Sequence, residues 1–117
     1  MENLFQKIND LNDLILQGKA MEAFEKYYHN DVEMQENEAS PTIGKDANRK
    51  REEQFFSSIT EFRKARPLRV AIGENLTMVE WQFDYTHQEW GIRNYSQVSV
   101  QHWQDGQIIR EKFYYQS

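Results

Sequence analysis

The sequence predicts an α+β fold in which three helices cover one face of a curved antiparallel sheet. Between residues 2 and 59, apolar side chains recur at the three- and four-residue spacing of amphipathic helices. From residue 66 to residue 116, apolar and polar side chains alternate between tight-turn signals, which is typical of four strands. A length of 117 residues suits a single domain with an ordinary core, so we assign one domain to residues 1–117.

Three helices are expected in the first half of the chain. The first covers residues 2–17 and ends near Gly18, and the second is short and ends before residue 28. Residues 32–36 then alternate apolar and polar side chains, so a short strand is expected there. The third helix is predicted over residues 45–59.

The strands of the second half pair in one predicted register. Asp105-Gly106 favours a two-residue type I′ turn, which places Glu111 opposite Val100. Loops at residues 74–75 and 88–91 extend the same register to the other strands, and all the pairings agree on one apolar face. The predicted inward face comprises Leu68, Val70, Ile72, Val79, Trp81, Phe83, Tyr85, His87, Ile92, Asn94, Ser96, Val98, Val100, His102, Ile109, Glu111, Phe113 and Tyr115.

The composition argues against several classes of function. The chain has 14 basic and 19 acidic residues, and this net charge of −5 disfavours binding to a phosphate backbone. It has no cysteine, which excludes disulfides, thiolate nucleophiles and Cys-ligated zinc. We expect no cofactor and no metal, because the sequence has neither a Gly-rich phosphate loop nor clustered metal ligands. No apolar run is long enough to span a bilayer, so a cytoplasmic protein without membrane or nucleic-acid partners is expected.

Three motifs carry a family resemblance. They are the Tyr-x-x-Asp-Val segment at residues 28–32, Gly44 at the start of the third helix, and the ending at residues 105–111. Together they resemble the nuclear transport factor 2-like superfamily, and within it the polyketide-cyclase (SnoaL-like) branch. The resemblance implies a cone in which helices close a bent sheet over an internal pocket, and it implies that dimers are common. Relatives include ketosteroid isomerases, polyketide cyclases, epoxide-hydrolase-like enzymes, dehydratases and many members without a known activity.

The catalytic residues of the family are only partly matched. Residues 34–36, Met-Gln-Glu, resemble the first-strand Tyr-Gln-Asn segment that holds the water in epoxide-hydrolase-like members, which implies a pocket position for Glu36. The last strand of those enzymes and of many cyclases reads roughly Trp-Arg-Asp-Tyr-Phe-Asp. Here Phe113 and Gln116 replace both aspartates, which favours either a relocated acid or a module without turnover.

Glu111 is the main catalytic candidate. Desolvation raises the pKa of an unpaired carboxyl on an apolar face, and a carboxyl that is partly protonated at neutral pH suits a general acid or base. The alternative is a structural salt bridge from Glu111 to Arg51, which helical spacing places on the inner stripe of the third helix. His102, diagonal to Glu111, and Glu36 are the candidate second groups. The favoured alternative for His102 is a solvated side chain beside its turn.

The inward face also predicts a small-molecule pocket, because aromatic walls with a few polar groups are typical of such sites. Ordinary core packing is the alternative for the same side chains. The predicted ligand-binding residues are Tyr28, Met34, Arg51, Trp81, Phe83, Tyr85, Asn94, Ser96, Val98, Phe113 and Tyr115.

The outward face of the sheet predicts a homodimer. Leu76, Met78, Trp103 and Ile108 are adjacent there in the predicted register, and an exposed Trp103 would leave an apolar patch. The alternative is that Tyr114 and a loop cover this patch.

The sequence therefore predicts a domain that binds a small, mostly apolar molecule. Its catalytic form would be cofactor-independent acid–base chemistry at Glu111, of the isomerase, cyclase, dehydratase or hydrolase type. The alternative is a non-catalytic ligand-binding or dimerisation module.

Overall fold

The computed structural model describes residues 3–116, which form three helices and six strands. In chain order the elements are α1 (Leu4–Leu16), α2 (Ala20–Tyr27), β1 (Tyr28–Glu36), β2 (Thr42–Ile43), α3 (Lys45–Ser57), β3 (Ile59–Gly73), β4 (Leu76–His87), β5 (Gly91–Gln104) and β6 (Gln107–Tyr114). Residues 1, 2 and 117 of the assigned domain lie outside the described part of the chain, and residue 2 is also the first residue of the predicted first helix.

The first helix is fixed at both ends by local chemistry. The Asn3 side chain accepts a hydrogen bond from the Gln6 backbone N–H at 2.9 Å, and the Gln6 side chain accepts one from the Asn3 N–H at 3.0 Å. Gly18 follows the helix with φ of 77°, a conformation that glycine adopts at little cost. None of the described helices is long and apolar enough to cross a membrane.

All six strands join one sheet in the order β2-β1-β6-β5-β4-β3. Strands β1 and β6 are parallel and the other neighbours are antiparallel, so the sheet is mixed. The predicted α+β fold is therefore confirmed, as an open sheet that is not a closed barrel. The third helix ends at Ser57, and β3 begins at Ile59 rather than at residue 66 as predicted.

The helices cover one face of this sheet and form the core with it. Ile8 and Leu11 of α1 and Phe24 of α2 are buried against Val79 and Trp81 of β4. At the other edge, Val70 lies opposite Val79 as predicted, but β3 is the edge strand. Its predicted inward residues Leu68, Val70 and Ile72 are consequently exposed.

Asn48 fixes α3 to the first two strands. Its side-chain amide, buried in the described structure, donates to the carbonyl oxygens of Thr42 at 3.0 Å and of Gly44 at 2.8 Å. Its distance to the Val32 carbonyl oxygen is 3.2 Å. These contacts orient α3 so that its face with Glu52 and Phe55 points toward the sheet.

The register of β5 differs from the prediction by one residue on its β4 side. His87 lies opposite Gly91 rather than opposite Ile92, because the loop has three residues, Gln88 to Trp90, instead of four. Gly91 has φ of 73°, which makes it the left-handed residue that ends this loop.

The register also shifts by one residue between β5 and β6. The Asp105-Gly106 turn has positive φ at both positions, 53° and 81°, as a type I′ turn requires. Beyond it Trp103 lies opposite Ile108, whereas Glu111 lies opposite Gln101 rather than opposite Val100. An extra residue, Ile109, forms a β-bulge that the turn signal does not reveal.

Because of these two shifts, the opposite set of β5 side chains faces the core. The predicted inward residues Ile92, Asn94, Ser96, Val98, Val100 and His102 lie on the outer face, and the inner face carries Arg93, Tyr95, Gln97, Ser99, Gln101 and Trp103. The prediction for β5 was therefore wrong, while the inward assignments of Trp81, Phe83 and Tyr85 on β4 and of Glu111 on β6 were correct.

The same correction changes the outer patch that predicted a dimer. Trp103 is 5% exposed and Ile108 is 0% exposed, because both side chains point into the core. Met78 remains on the outer face opposite Val100. The homodimer remains a prediction. Two of the four residues that suggested it, Trp103 and Ile108, are not on the outer face.

Candidate functional site

A cavity of about 1050 Å³ lies between the helices and the inner face of the sheet. Aromatic rings line it: Trp81, Phe83, Tyr85, Tyr95, Phe113 and Tyr115 belong to or follow the strands, and Phe24 and Phe55 belong to the helices. Exposed apolar side chains, among them Leu16, Phe62 and Trp90, mark its solvent side. The size and the mainly apolar lining are those of a small-molecule site.

Glu111 lies at the cavity wall and is 3% exposed. One of its oxygens, Oε1, accepts a hydrogen bond from the Tyr28 hydroxyl. The other, Oε2, accepts one from the Gln101 side-chain amide at 2.8 Å. No Lys, Arg or His among residues 3–116 forms a salt bridge with Glu111, so the alternative of a pair with Arg51 is not realised.

A chain of hydrogen bonds fixes the direction of the Gln101 amide. The Trp103 indole N–H, which can only donate, binds Thr77 Oγ1 at 2.9 Å. Thr77 then donates its own proton to Gln101 Oε1 at 2.7 Å. Because Oε1 is held in this way, the Gln101 NH₂ group must face Glu111, and a donor is fixed toward its carboxyl group.

Burial raises the pKa of Glu111 from its ordinary 4.5 to about 7, since the charged form loses its hydration. The hydrogen bonds from Tyr28 and Gln101 act in the opposite direction, because both donors stabilise the carboxylate. Tyr28 in turn has its pKa raised well above 10, by burial and by the neighbouring Glu111 charge, so it remains a neutral donor. Glu111 is therefore close to half-ionised at neutral pH.

A second acid, Glu52, faces the cavity from α3. Burial and the charge of Glu111 raise the pKa of Glu52 to about 8, with a smaller contribution from Glu36. Since ionised Glu111 disfavours a second charge, Glu111 loses its proton first and Glu52 stays mostly neutral at pH 7. The cavity thus contains two carboxyl groups that differ in protonation.

Glu36 also lines the cavity, but its charge is compensated. Arg51 donates to Glu36 Oε2 at 2.8 Å and to Thr42 Oγ1 at 2.8 Å. This pair is exposed, and Arg51 is not part of the cavity wall. Glu36 is consequently less suited than Glu111 to exchange a proton with a bound molecule.

The structure brings together most of the residues that were predicted to bind a ligand. Those at the cavity wall are Tyr28, Met34, Trp81, Phe83, Tyr85, Phe113 and Tyr115, together with the candidate acids Glu36 and Glu111. Those elsewhere are Arg51, which binds Glu36, and Asn94, Ser96, Val98 and His102, which lie on the outer face of β5. His102 is exposed and therefore cannot form a dyad with Glu111.

The prediction missed the polar residues that surround Glu111. Glu52 was overlooked because the inner stripe of α3 runs through Asn48, Glu52 and Phe55, one residue away from the predicted stripe that included Arg51. Gln101 was overlooked because Val98 and Val100 made the other face of β5 look like the inner one. No signal in the sequence separated Glu52 from Arg51, since both lie at helical spacing before Phe55.

A profile of the SnoaL-like domain matches residues 5–115, which is nearly the whole chain. The chain belongs to the SnoaL-like family. A SnoaL-like domain accounts for the three helices, the mixed sheet and the internal cavity described above. A search of curated proteins found no significant match to the sequence.

Solved structures share the fold of this SnoaL-like domain at low sequence identity. A candidate SnoaL-like polyketide cyclase from Mesorhizobium loti has a TM-score of 0.88 at 22% identity, over 97% of this chain and 100% of that chain. A nuclear transport factor 2-like protein of unknown function from Burkholderia pseudomallei has a TM-score of 0.83 at 13% identity, over 99% and 92%. A Catenulispora acidiphila protein with a ketosteroid isomerase-like fold, in complex with trimethylamine, has a TM-score of 0.67 at 8% identity, over 80% and 72%.

Proposed function

We propose that this SnoaL-like domain binds a small, mostly apolar molecule in its cavity and catalyses cofactor-independent acid–base chemistry on it. The observation that carries the proposal is Glu111, a buried carboxyl group at the wall of an aromatic cavity, held by two neutral donors and without a cationic partner among the described residues. A structural carboxylate at such a depth is normally paired with a positive charge.

The two carboxyl groups suit complementary roles. Ionised Glu111 accepts a proton from the bound molecule, and neutral Glu52 donates a hydrogen bond or a proton to the oxygen on which negative charge develops. The pKa of Glu111 at about 7 and that of Glu52 at about 8 support this division at neutral pH. Isomerisation, cyclisation and dehydration all require such a transfer of protons within one pocket.

The first test measures proton abstraction directly with nitrobenzisoxazole, a small aromatic probe. A carboxylate base removes its ring C–H proton, the electron pair forms a nitrile, and the N–O bond breaks to release a coloured cyano-nitrophenolate. We expect the protein to accelerate this reaction, with a rate that rises with pH through about 7, where Glu111 ionises. The Glu111→Gln variant should lose the acceleration by at least about 100-fold.

The matched control is Glu53→Gln, which removes an exposed acid next to Glu52 on the same helix and should leave the rate unchanged. An undiminished rate in Glu111→Gln would contradict the assignment of the base. Binding of the probe without acceleration over free acetate would instead support the non-catalytic alternative, a ligand-binding module.

A further inference from the structure

Arg93 lies on the inner face of β5, well along the strand from the partner of Glu111. It pairs with Tyr85 of β4, whereas Gln101, the partner of Glu111, lies eight residues further along β5. At about 3.3 Å per residue this corresponds to roughly 27 Å along the curved strand. Arg93 and Glu111 are therefore separate sites on the wall of the cavity that both of them line.

The guanidinium of Arg93 has no polar partner among residues 3–116. Its Nε is buried and makes no hydrogen bond, and no acid of the described residues lies within ion-pair distance. Arg49, Arg51 and Arg63, by contrast, each bind a carboxylate oxygen, at 2.5, 2.8 and 2.9 Å. An arginine that turns inward without a partner is thus an exception in this molecule.

One contact does fix the position of Arg93. Its guanidinium carbon lies 4.9 Å from the centre of the Tyr95 ring, and Tyr95 is held in place by a 2.8 Å hydrogen bond between its hydroxyl and that of Tyr85. Cation–π stacking orients a guanidinium but leaves its N–H donors free. Those donors match the two oxygens of a carboxylate.

We infer that Arg93 binds the anionic group of the ligand, and that the ligand class is an aromatic or apolar carboxylic acid. The inference rests on the proposed function, since it concerns the same cavity. Ionised Glu111 repels a negative charge, so the ligand binds in one orientation. Its carboxylate lies on Arg93, and its uncharged end lies against the two glutamic acid side chains.

The test compares biphenyl carboxylate with biphenyl carboxamide, which has nearly the same shape and no charge. Titration calorimetry at about pH 7 should show the carboxylate binding about tenfold more tightly than the amide. The reason is that the carboxylate forms a charge-assisted hydrogen-bonded contact with Arg93 that the amide lacks. In Arg93→Gln we expect this preference to disappear while the affinity for the amide is retained, which also shows that the variant is folded. Arg93→Lys keeps the charge but not the two-pronged donor geometry, and should retain only part of the preference.

Arg69→Gln is the matched control, because it removes an exposed arginine that binds Glu80 on the outer face of the sheet, away from the cavity wall, and it should keep the preference. Equal binding of the two probes by the wild-type protein, or an unchanged preference in Arg93→Gln, would overturn the role of Arg93 and leave the proposed pocket intact. If neither probe binds while nitrobenzisoxazole still reacts, the ligand class is wrong and the proposed function stands. If nitrobenzisoxazole does not bind either, both proposals are wrong.

Discussion

The Glu111→Gln variant is expected to gain stability relative to the wild-type protein as the pH rises. Below about pH 4, Glu111 is protonated in both the folded and the unfolded states, so its protonation does not affect folding. Between pH 4.5 and about 7, the unfolded chain releases this proton while the folded protein retains it, and the wild-type protein loses stability. Above about pH 7 that loss is complete, at about 3 kcal/mol for a pKa raised from 4.5 to about 7.

Glutamine removes this titration and fits the same site. Its amide oxygen can accept from Gln101, and its NH₂ group can donate to the Tyr28 oxygen. Removing the Glu111 charge also relieves its repulsion of Glu52, which further stabilises the variant relative to the wild-type protein. Urea denaturation of both proteins from about pH 4 to pH 8 measures the effect, with Glu53→Gln as the exposed control. Parallel stability profiles for Glu111→Gln and wild type would contradict a buried carboxyl with a raised pKa.

The Thr77→Val variant is expected to lose about 2–6 kcal/mol of stability. Valine has nearly the shape of threonine, but it leaves the Trp103 indole N–H and Gln101 Oε1 buried without a partner. Each unpaired group of this kind costs about 1–3 kcal/mol. The Gln101 amide also becomes free to rotate, and in the reversed orientation its oxygen faces Glu111, which disfavours the carboxylate.

Thr86→Val is the matched control on the same strand. Thr86 lies on the outer face, where its hydroxyl accepts a hydrogen bond from Arg63 at 2.8 Å, so we expect a loss below about 1 kcal/mol. Trp103→Phe should cost less in the Thr77→Val background than in the wild-type protein, because the indole N–H has already lost its acceptor. A Thr77→Val protein as stable as the Thr86→Val protein would show that the hydrogen-bond chain does not organise the site.

The sequence predicted the fold well because the signals of individual elements are local. Helical periodicity located the three helices, and the Asp105-Gly106 turn adopts the predicted positive φ values. The uninterrupted alternation of residues 79–85 also identified the inner face of β4 correctly, including Trp81 and Tyr85. Each of these features depends only on residues close to one another in the chain.

The inner face of β5 was predicted wrongly. A three-residue loop before Gly91 and a bulge at Ile109 each shift the register by one residue. Gly91, a glycine in the left-handed region at the end of a three-residue loop, was the available signal for the first shift, whereas no residue type marks the bulge. The two shifts lie on opposite sides of β5 and add up to two residues between β4 and β6, which is one full period of the strand and restores the same face. For that reason Glu111 was assigned to the correct face, although its predicted neighbour Val100 was wrong and Gln101 is the true one.

The polar part of the site was harder to predict because hydrophobicity was the guide. On β5 the more apolar face, with Val98 and Val100, points outward, and the inner face carries Gln101. A strand that turns polar side chains inward and apolar ones outward breaks the usual pattern. Such breaks are expected where a cavity, rather than a packed core, lies against the sheet.

The central claim is that Glu111 is a buried acid without a cationic partner, and its titration tests this most directly. Carbon-13 NMR of the glutamate side-chain carboxyl groups, with the Glu111 signal identified by its absence from Glu111→Gln, follows the ionisation of this one group. We expect a midpoint at about pH 7, and a higher one in Tyr28→Phe, since the lost hydrogen bond stabilises the carboxylate. A midpoint near the ordinary value of 4.5 would contradict the account, because the carboxyl group would then be solvated or paired rather than held at the wall of a ligand cavity.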